Sequence, residues 1–302
     1  MSSPVAICVG NFDGVHAGHV RLVETARAAA GRPGTVHAIV FEPHPTTVLR
    51  PERAPARLTR FADRAALLRA AGADEVTALA PTPDLLGRAP ETFVDDLVAR
   101  YRPSFIVEGP DFRFGRGRAG SVETLRSLEA GRGYETIVID PVERAVSNGQ
   151  IVPVSSSVIR WLVARGRVAD AAMLLGRPYE LSGAVIKGDQ RGRAIGMPTA
   201  NIDHGGLLLP ADGIYTGRAR RGGGAAWWPA AISVGTKPTF GVHPRVCEAH
   251  LVGFDGPLDE YGWTLRLEVR AWLRDQVCYP CVASLADQLA RDIERARVAG
   301  AG

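Results

Sequence analysis

Long apolar runs are absent. No stretch of the 302 residues approaches 18 continuous apolar positions, so no membrane-spanning helix is expected. A basic segment followed by a long apolar one is also missing from the start, where Met1-Ser2-Ser3-Pro4 leads straight into Val5-Ala6-Ile7-Cys8-Val9. That argues against a signal peptide and makes a cytoplasmic location the expectation. Lysine is nearly missing, at 187 and 237 only, and every other basic residue is arginine. The arginines are scattered among Asp and Glu with no block of like charge, and the net charge is +4. Small phosphorylated ligands explain that bias as well as a polymer does, so neither nucleic acid nor a membrane is expected as a partner. A monomer or weak homo-oligomer is the expected assembly. Cysteine is scarce: Cys8, Cys247, Cys278 and Cys281. Cys8 sits in a run that reads as a core strand. Cys278-Tyr279-Pro280-Cys281 has no second pair to complete a zinc site and reads as incidental. No internal repeat is visible.

What is present suits two domains, each long enough to bury its own core. The apolar run Val5–Val9 leads into Gly10-Asn11-Phe12-Asp13-Gly14-Val15-His16-Ala17-Gly18-His19, and a helical pattern over 20–30 leads out. This is a turn from a buried strand into a helix start. Glycines let the backbone approach a ligand closely, and the free N–H groups of the helix start favour phosphate. His16 and His19 add side-chain donors at the same place, so the stretch reads as a site holding a nucleoside triphosphate by its phosphates.

The first half continues as strand alternating with helix: apolar runs at 36–41, 75–80, 105–107 and 136–139, helical patterns at 61–71, 91–101 and 121–130. That alternation implies a parallel sheet covered on both faces, with ligands at the carboxyl ends of its strands. Two more strand ends carry unusual loops. Phe41-Glu42-Pro43-His44-Pro45 is stiffened by its prolines, and Glu108-Gly109-Pro110-Asp111-Phe112-Arg113-Phe114-Gly115 puts aromatics and an arginine together. Ser155-Ser156-Ser157-Val158-Ile159-Arg160 begins another helix, its hydroxyls and guanidinium suited to a polyphosphate.

From Gly176 the pattern changes to short β-like runs with Gly/Pro turns, at 181–186, 213–218, 230–234, 246–252 and 265–271, closed by a helical pattern at 284–297. An antiparallel barrel is expected there. It opens with Gly188-Asp189-Gln190-Arg191-Gly192-Arg193-Ala194-Ile195-Gly196-Met197-Pro198-Thr199-Ala200-Asn201. This loop is glycine-rich and basic but lacks the Gly-Lys-Ser/Thr ending of a Walker A loop. Thr199 and Asn201 offer oxygen ligands for Mg²⁺ beside phosphates.

The motifs resemble, in order and over nearly the whole chain, those of the bacterial bifunctional riboflavin kinase/FAD synthetase family. GNFDGVHAGH is similar to its opening nucleotidyltransferase motif, and Phe41–Pro45 and Asp111–Gly115 to its FxPHP and DFxFG loops. Ser155–Arg160 resembles its SSTxxR motif with Ser157 in place of Thr, and Gly188–Asn201 its flavokinase signature with Met197 where Phe is common. Leu209–Tyr215, Gly235–Gly241 and Cys247-Glu248-Ala249-His250-Leu251 resemble its PxxGVY, GTxPTFG and VExHL segments. Departures are Pro81, where relatives carry Phe, and an early start to the first strand.

The resemblance implies a Rossmann-like nucleotidyltransferase domain with a parallel sheet over 1–176. A riboflavin kinase domain over 177–302 follows, an antiparallel β-barrel with a terminal helix. It implies riboflavin, FMN and ATP as substrates and Mg²⁺ as cofactor. In the first half it places ATP phosphates at Gly10, Asn11, Phe12, Asp13, Gly14, Gly18 and Ser155, Ser156 and Ser157, with His16, His19 and Arg160 catalytic. Flavin would meet Phe41, His44, Asp111, Phe112 and Phe114. In the second half Gly188, Arg191, Gly192 and Gly196 would cover ATP, Thr199 and Asn201 would hold the metal, and Glu248 would be the general base. The chemistry divides the same way. An alcohol attacking a phosphate needs a base, whereas a phosphate oxygen attacking the α-phosphate is already ionised and needs only alignment and charge neutralisation. The alternatives are a nucleotidyltransferase with another acceptor, an inactive flavin-binding regulator, and a basic nucleic-acid-binding protein.

Overall fold

The structure, a computed structural model, describes residues 3–194, 196–236 and 244–300. Ile195 of the glycine-rich loop and Lys237–Gly241 of the GTxPTFG-like segment lie outside the described residues. Tertiary contacts form two compact units, Met1–Arg144 with Ile151–Ser156, and Ala145–Gln150 with Ser157–Gly302.

The first unit is built on strand β1 (Val5–Gly10), followed by helix α1 (Ala17–Ala30), β2 (Thr35–Phe41), α2 (Thr46–Leu49), α3 (Phe61–Ala70) and β3 (Glu75–Leu79). Next come α4 (Pro83–Gly87), α5 (Pro90–Tyr101), β4 (Phe105–Glu108), α6 (Val122–Arg132) and β5 (Glu135–Val138). The sheet is parallel in the order β3-β2-β1-β4-β5. A central parallel strand is covered on both faces, which is why Val5–Val9 reads as an unbroken apolar run. Ala6 and Cys8 pack on Leu22, Val23 and Ala26 of α1. Ile7 and Val9 pack on the other face against Phe93, Val94 and Leu97 of α5. The strand order reverses between β1 and β4, and the crevice at such a reversal is where open α/β sheets bind ligands. The two loops that open there are Gly10–His16 and Gly109–Gly115.

The hairpin β6 (Glu143–Ala145) and β7 (Ile151–Pro153) precedes α7 (Ser156–Val163) and α8 (Val168–Leu175). The second unit continues with β8 (Tyr179–Ile186), α9 (Arg191–Ala194), β9 (Ala200–Asp203), β10 (Gly213–Arg221), β11 (Trp228–Gly235), β12 (Val246–Leu251), β13 (Thr264–Arg274) and α10 (Val282–Gly300). Its strands close an antiparallel barrel in the order β10-β11-β12-β9-β8-β13. Alternate residues of β12 and β13 point inward: Cys247, Ala249 and Leu251, and Leu265, Leu267 and Val269, are all buried. Leu174 and Leu175 of α8 are buried and the helix packs on β8 and β13, while α10 packs on β10 and β11. Sequence reading does not anticipate β9, the strand that joins β8 to β12 and lets the barrel close.

Candidate functional sites

At the end of β1 the backbone turns through unusual conformations. Phe12 and Val15 have φ of 49° and 41°, and Gly14 between them 87°. Positive φ at a β-branched residue is a true outlier, the kind of local strain that persists only where the surroundings over-determine it. The surroundings do. The buried Asp13 carboxylate accepts from the N–H groups of Leu58 and Thr59 and from the Thr59 hydroxyl, all within 3.0–3.1 Å. Thr59 Oγ1 in turn accepts from Gly14 N–H at 3.0 Å. Asp13 therefore anchors the turn, and its carboxylate is engaged with protein amides.

His16 caps α1: its Nδ1 accepts from His19 N–H at 3.4 Å, which in the neutral ring puts the proton on Nε2 as a donor. The two imidazoles stack at 3.6 Å, and the buried Phe12 ring lies 5.1 Å from His19, tilted by 60°. Gly18 seats closely against this pair, since a Cβ would come within 3.2 Å of the His16 ring and push it aside. Ser156 Oγ donates to the Asp13 carbonyl at 2.7 Å, which brings the start of α7 to the same turn. Gly10 ends β1, and the side chain of Asn11 holds a buried Oδ1 without a hydrogen-bond partner. Ser157 is exposed and Arg160 stands one turn further on; both group with the second unit.

Phe41 ends β2, half-buried, and the His44 ring accepts from Thr46 N–H at 3.2 Å, closing the turn into α2. In the β4 loop, Asp111 is exposed and Phe112 half-buried. Phe114 is buried, stacked 5.2 Å from Phe112 and 5.5 Å from Phe93 in the core. Its ring packs, and supports Phe112.

Sequence reading missed Glu108. It ends β4, is buried, and accepts from Val9 N–H at 2.7 Å. Burial pushes its carboxyl well above the usual carboxylate range, and the Asp111 charge adds to the rise. A carboxyl raised in the folded state contributes stability that is complete below its unfolded value and is lost as pH rises through its folded value. Glu108→Gln keeps an acceptor for Val9. It is expected to raise the unfolding midpoint by several degrees at about pH 8 and to leave it nearly unchanged at about pH 4. Scanning calorimetry of both proteins at the two pH values checks this; equal shifts at both would remove ionisation as the cause.

In the barrel, β12 carries Glu248 directly opposite Ser233 of β11 and Asn201 of β9. His250 is two residues on, so it shares the face of Glu248. Its Nδ1 lies 2.8 Å from the Pro198 carbonyl and ties β12 to the residues before β9. Two cavities meet here. One, of about 350 Å³, runs from Glu248, Arg191 and Met197 to the apolar side chains Val282, Leu285 and Leu289 of α10. The other, of about 280 Å³, is lined by Gly188, Asn201, Phe254, Tyr261 and Trp263. Thr199, Gln190 and His250 line both. Gly188 leaves room for the Asn201 amide, which a Cβ 2.1 Å away would displace. Gly192 lies in α9, its carbonyl accepting from Met197 N–H at 2.8 Å, and Gly196 follows with φ of 76°. A buried ion pair, Arg274–Asp292 at 2.6 Å, fastens α10 along the first cavity. Sequence reading had no signal for the α10 side chains, and only the alternation Glu248-x-His250 pointed to His250.

Cys8 and Cys247 are buried, and burial pushes both thiols up, Cys247 to about 12. Cys278 and Cys281 are exposed, and a hydrogen bond from Ser284 lowers the Cys281 thiol. Among the described residues no cluster of His, Cys, Asp and Glu suits a metal ion, and no helix is long and apolar enough to cross a membrane.

A parallel α/β unit with a phosphate-type turn at its switch point, followed in the chain by a barrel with a glycine-rich loop and a strand carboxylate, defines a two-unit nucleotide-dependent transferase. Residues 1–156 match the FAD synthetase family model and residues 175–299 the riboflavin kinase model. The bifunctional riboflavin kinase/FMN adenylyltransferase of Escherichia coli strain K12 is 32% identical over 293 residues, covering 96% of this chain and 91% of that protein. The Bacillus subtilis strain 168 protein of the same name is 30% identical over 294 residues, covering 96% and 90%. A crystal structure described as a macrolide-efflux protein from Streptococcus pneumoniae superposes with a TM-score of 0.85 at 29% identity, covering 98% of this chain and 95% of that one. The chain belongs to the bifunctional riboflavin kinase/FMN adenylyltransferase family. It phosphorylates riboflavin to FMN with ATP, then transfers an adenylyl group from ATP to FMN, releasing pyrophosphate and FAD.

Proposed function

We propose that the two reactions run at separate sites with different equipment. The observation that carries this is the register of the barrel, which sets Glu248 opposite Asn201 where two cavities of different character meet. The apolar cavity under α10 takes the riboflavin ring, and the cavity beside Gly188 takes ATP, covered by the Arg191–Gly196 loop. Glu248 accepts the proton of the attacking riboflavin hydroxyl. Thr199 and Asn201 supply oxygen donors for Mg²⁺. That donor set fits the ion, which takes few protein ligands and completes its shell with phosphate and water. When bound, Mg²⁺ neutralises charge on the transferring phosphate.

For adenylyl transfer, the backbone of Gly10–Gly14 and Gly18, with the hydroxyls of Ser155, Ser156 and Ser157, holds ATP phosphates. His16 and His19 donate to the α-phosphate and the leaving pyrophosphate, and Arg160 adds its guanidinium. Phe41, His44, Asp111 and Phe112 receive FMN, with Phe114 beneath Phe112. No base is required. Riboflavin, FMN, ATP and Mg²⁺ account for every assigned residue, so neither nucleic acid nor a membrane is needed as a partner. The enzyme acts in the cytoplasm as a monomer or weak homo-oligomer.

The division is placed at 176, with adenylyl transfer in 1–176 and phosphorylation in 177–302. Expressed alone, residues 177–302 are expected to convert riboflavin to FMN and make no FAD. Because α8 buries Leu174 and Leu175 against the barrel, a fragment 157–302 should do the same with a higher unfolding midpoint, burial of each leucine being worth about 1.5–3 kcal/mol. A folded fragment without kinase activity would mean that the first unit contributes to that site.

A further inference from the structure

Arg64 lies beneath the phosphate turn and is 3% exposed. It sits in the first turn of α3, a helix whose opening residues carry no motif. Its Nη1 donates to the Asn11 carbonyl at 2.9 Å and lies 3.2 Å from the Glu42 carboxylate. Its Nη2 donates to the Thr59 carbonyl at 3.3 Å and lies 3.7 Å from Asp13. One guanidinium thus touches the turn after β1, the loop after β2 and the segment that clamps Asp13. Both flanking carboxylates are largely shielded from water: Asp13 is 5% exposed at its side chain and Glu42 23%. Glu42 Oε2 is buried without a hydrogen-bond partner, and the Arg64 guanidinium 3.2 Å away compensates its charge.

Two carboxylates under an anion-binding turn oppose the binding of any polyphosphate. Their field reaches the site through a poorly screened interior, where unit charges interact far more strongly than in water. We propose that Arg64 is a positioning residue for adenylyl transfer: it neutralises Asp13 and Glu42 beneath the turn and locks the Asn11 carbonyl, so that the strained turn keeps the shape and charge balance that accept an anion. The proposal rests on assigning the Gly10–His19 turn to the ATP phosphates. It goes further by naming the charge balance under that turn, and by tying the Phe41–Pro45 loop to the same side chain.

Charge and fork geometry separate by substitution. Arg64→Lys keeps the charge and loses the planar fork. Arg64→Met loses both. Adenylyl transfer from ATP to FMN is followed at varied ATP, with riboflavin kinase activity of the same preparation and circular dichroism as controls. Arg64→Met is expected to raise the KM for ATP at least tenfold and to lower kcat/KM about 10²-fold, with riboflavin phosphorylation unchanged. Arg64→Lys should keep the KM for ATP within about threefold and lose mainly kcat. The decisive variant is Arg64→Met with Glu42→Gln. Removing the carboxylate left behind should recover at least tenfold in KM for ATP, a rescue that lost packing alone does not predict. A folded Arg64→Met with wild-type KM, or a double variant no better than the single, overturns the proposal. If Arg64→Met does not fold, Arg64→Lys and the double variant decide it: a large rise in KM for ATP in Arg64→Lys, charge intact, overturns it equally. His19→Ala tests the underlying assignment independently. Wild-type FAD synthesis in that variant would sink the phosphate assignment, whereas failure of Arg64 alone would leave it standing.

Discussion

Glu248→Gln is expected to lower riboflavin phosphorylation by about 10²–10⁴-fold, the usual range for a positioned general base. The substitution keeps the size of the side chain and its hydrogen-bonding capacity. Glu248 is only partly buried on β12, facing the cavity between Ser233 and Asn201, so the barrel has no reason to unfold. Riboflavin affinity should change much less than turnover, because the apolar wall under α10 is untouched. Supplied with FMN, the same variant should make FAD at the wild-type rate, since the phosphate nucleophile of that step needs no base. The measurement is a pair of initial rates on one preparation, riboflavin to FMN and FMN to FAD. Normal kinase turnover would remove Glu248 as the base. Loss of both activities in a folded variant would mean that the two sites are coupled.

The converse split is expected from His19→Ala and from Arg160→Ala. Each should lower FAD formation about 10²–10³-fold, the effect of removing one donor to developing charge, and leave FMN formation intact. For His19 the geometry makes the case. The ring stacks on His16 at 3.6 Å and meets the buried Phe12 ring at a 60° tilt, so its direction is fixed before any ligand arrives. Truncation to Ala removes the donor without opening the core. Arg160 follows the Ser155–Ser157 hydroxyls by one helical turn, and its loss should leave α7 in place because the helix buries Ile159, Leu162 and Val163 instead. Wild-type FAD synthesis in either variant removes that residue from the mechanism.

Alternation of strand and helix carries the sheet because β1 and its neighbours are buried on both faces and leave unbroken apolar runs. The phosphate turn is legible for a similar reason, its glycines and paired histidines being adjacent in sequence. Strand β9 is not legible. Its first two residues end the glycine-rich loop in sequence, and pairing to Ile186, Val185 and Ala184 on one side and to Glu248 and Ala249 on the other makes the four a strand. Arg64 and Glu108 escape notice because each acts across 50 residues or more, Arg64 on Asn11 and Glu108 on Val9, and neither stands in a pattern of its own. Asp13 shows the opposite case. It sits in the middle of the motif, yet its carboxylate faces Leu58 and Thr59, so its side chain shapes the turn from beneath.

One time course shows most directly whether a single chain makes FAD from riboflavin at two sites. The full-length protein is incubated with riboflavin, ATP and Mg²⁺, and the flavins are separated by chromatography at intervals. Riboflavin should fall, FMN rise first, and FAD follow with pyrophosphate released in equal amount. Adding Glu248→Gln and His19→Ala variants together should restore the whole sequence that neither completes alone. Riboflavin left unconverted, FMN that accumulates without FAD, or a mixture of the two variants that stays inactive would contradict it.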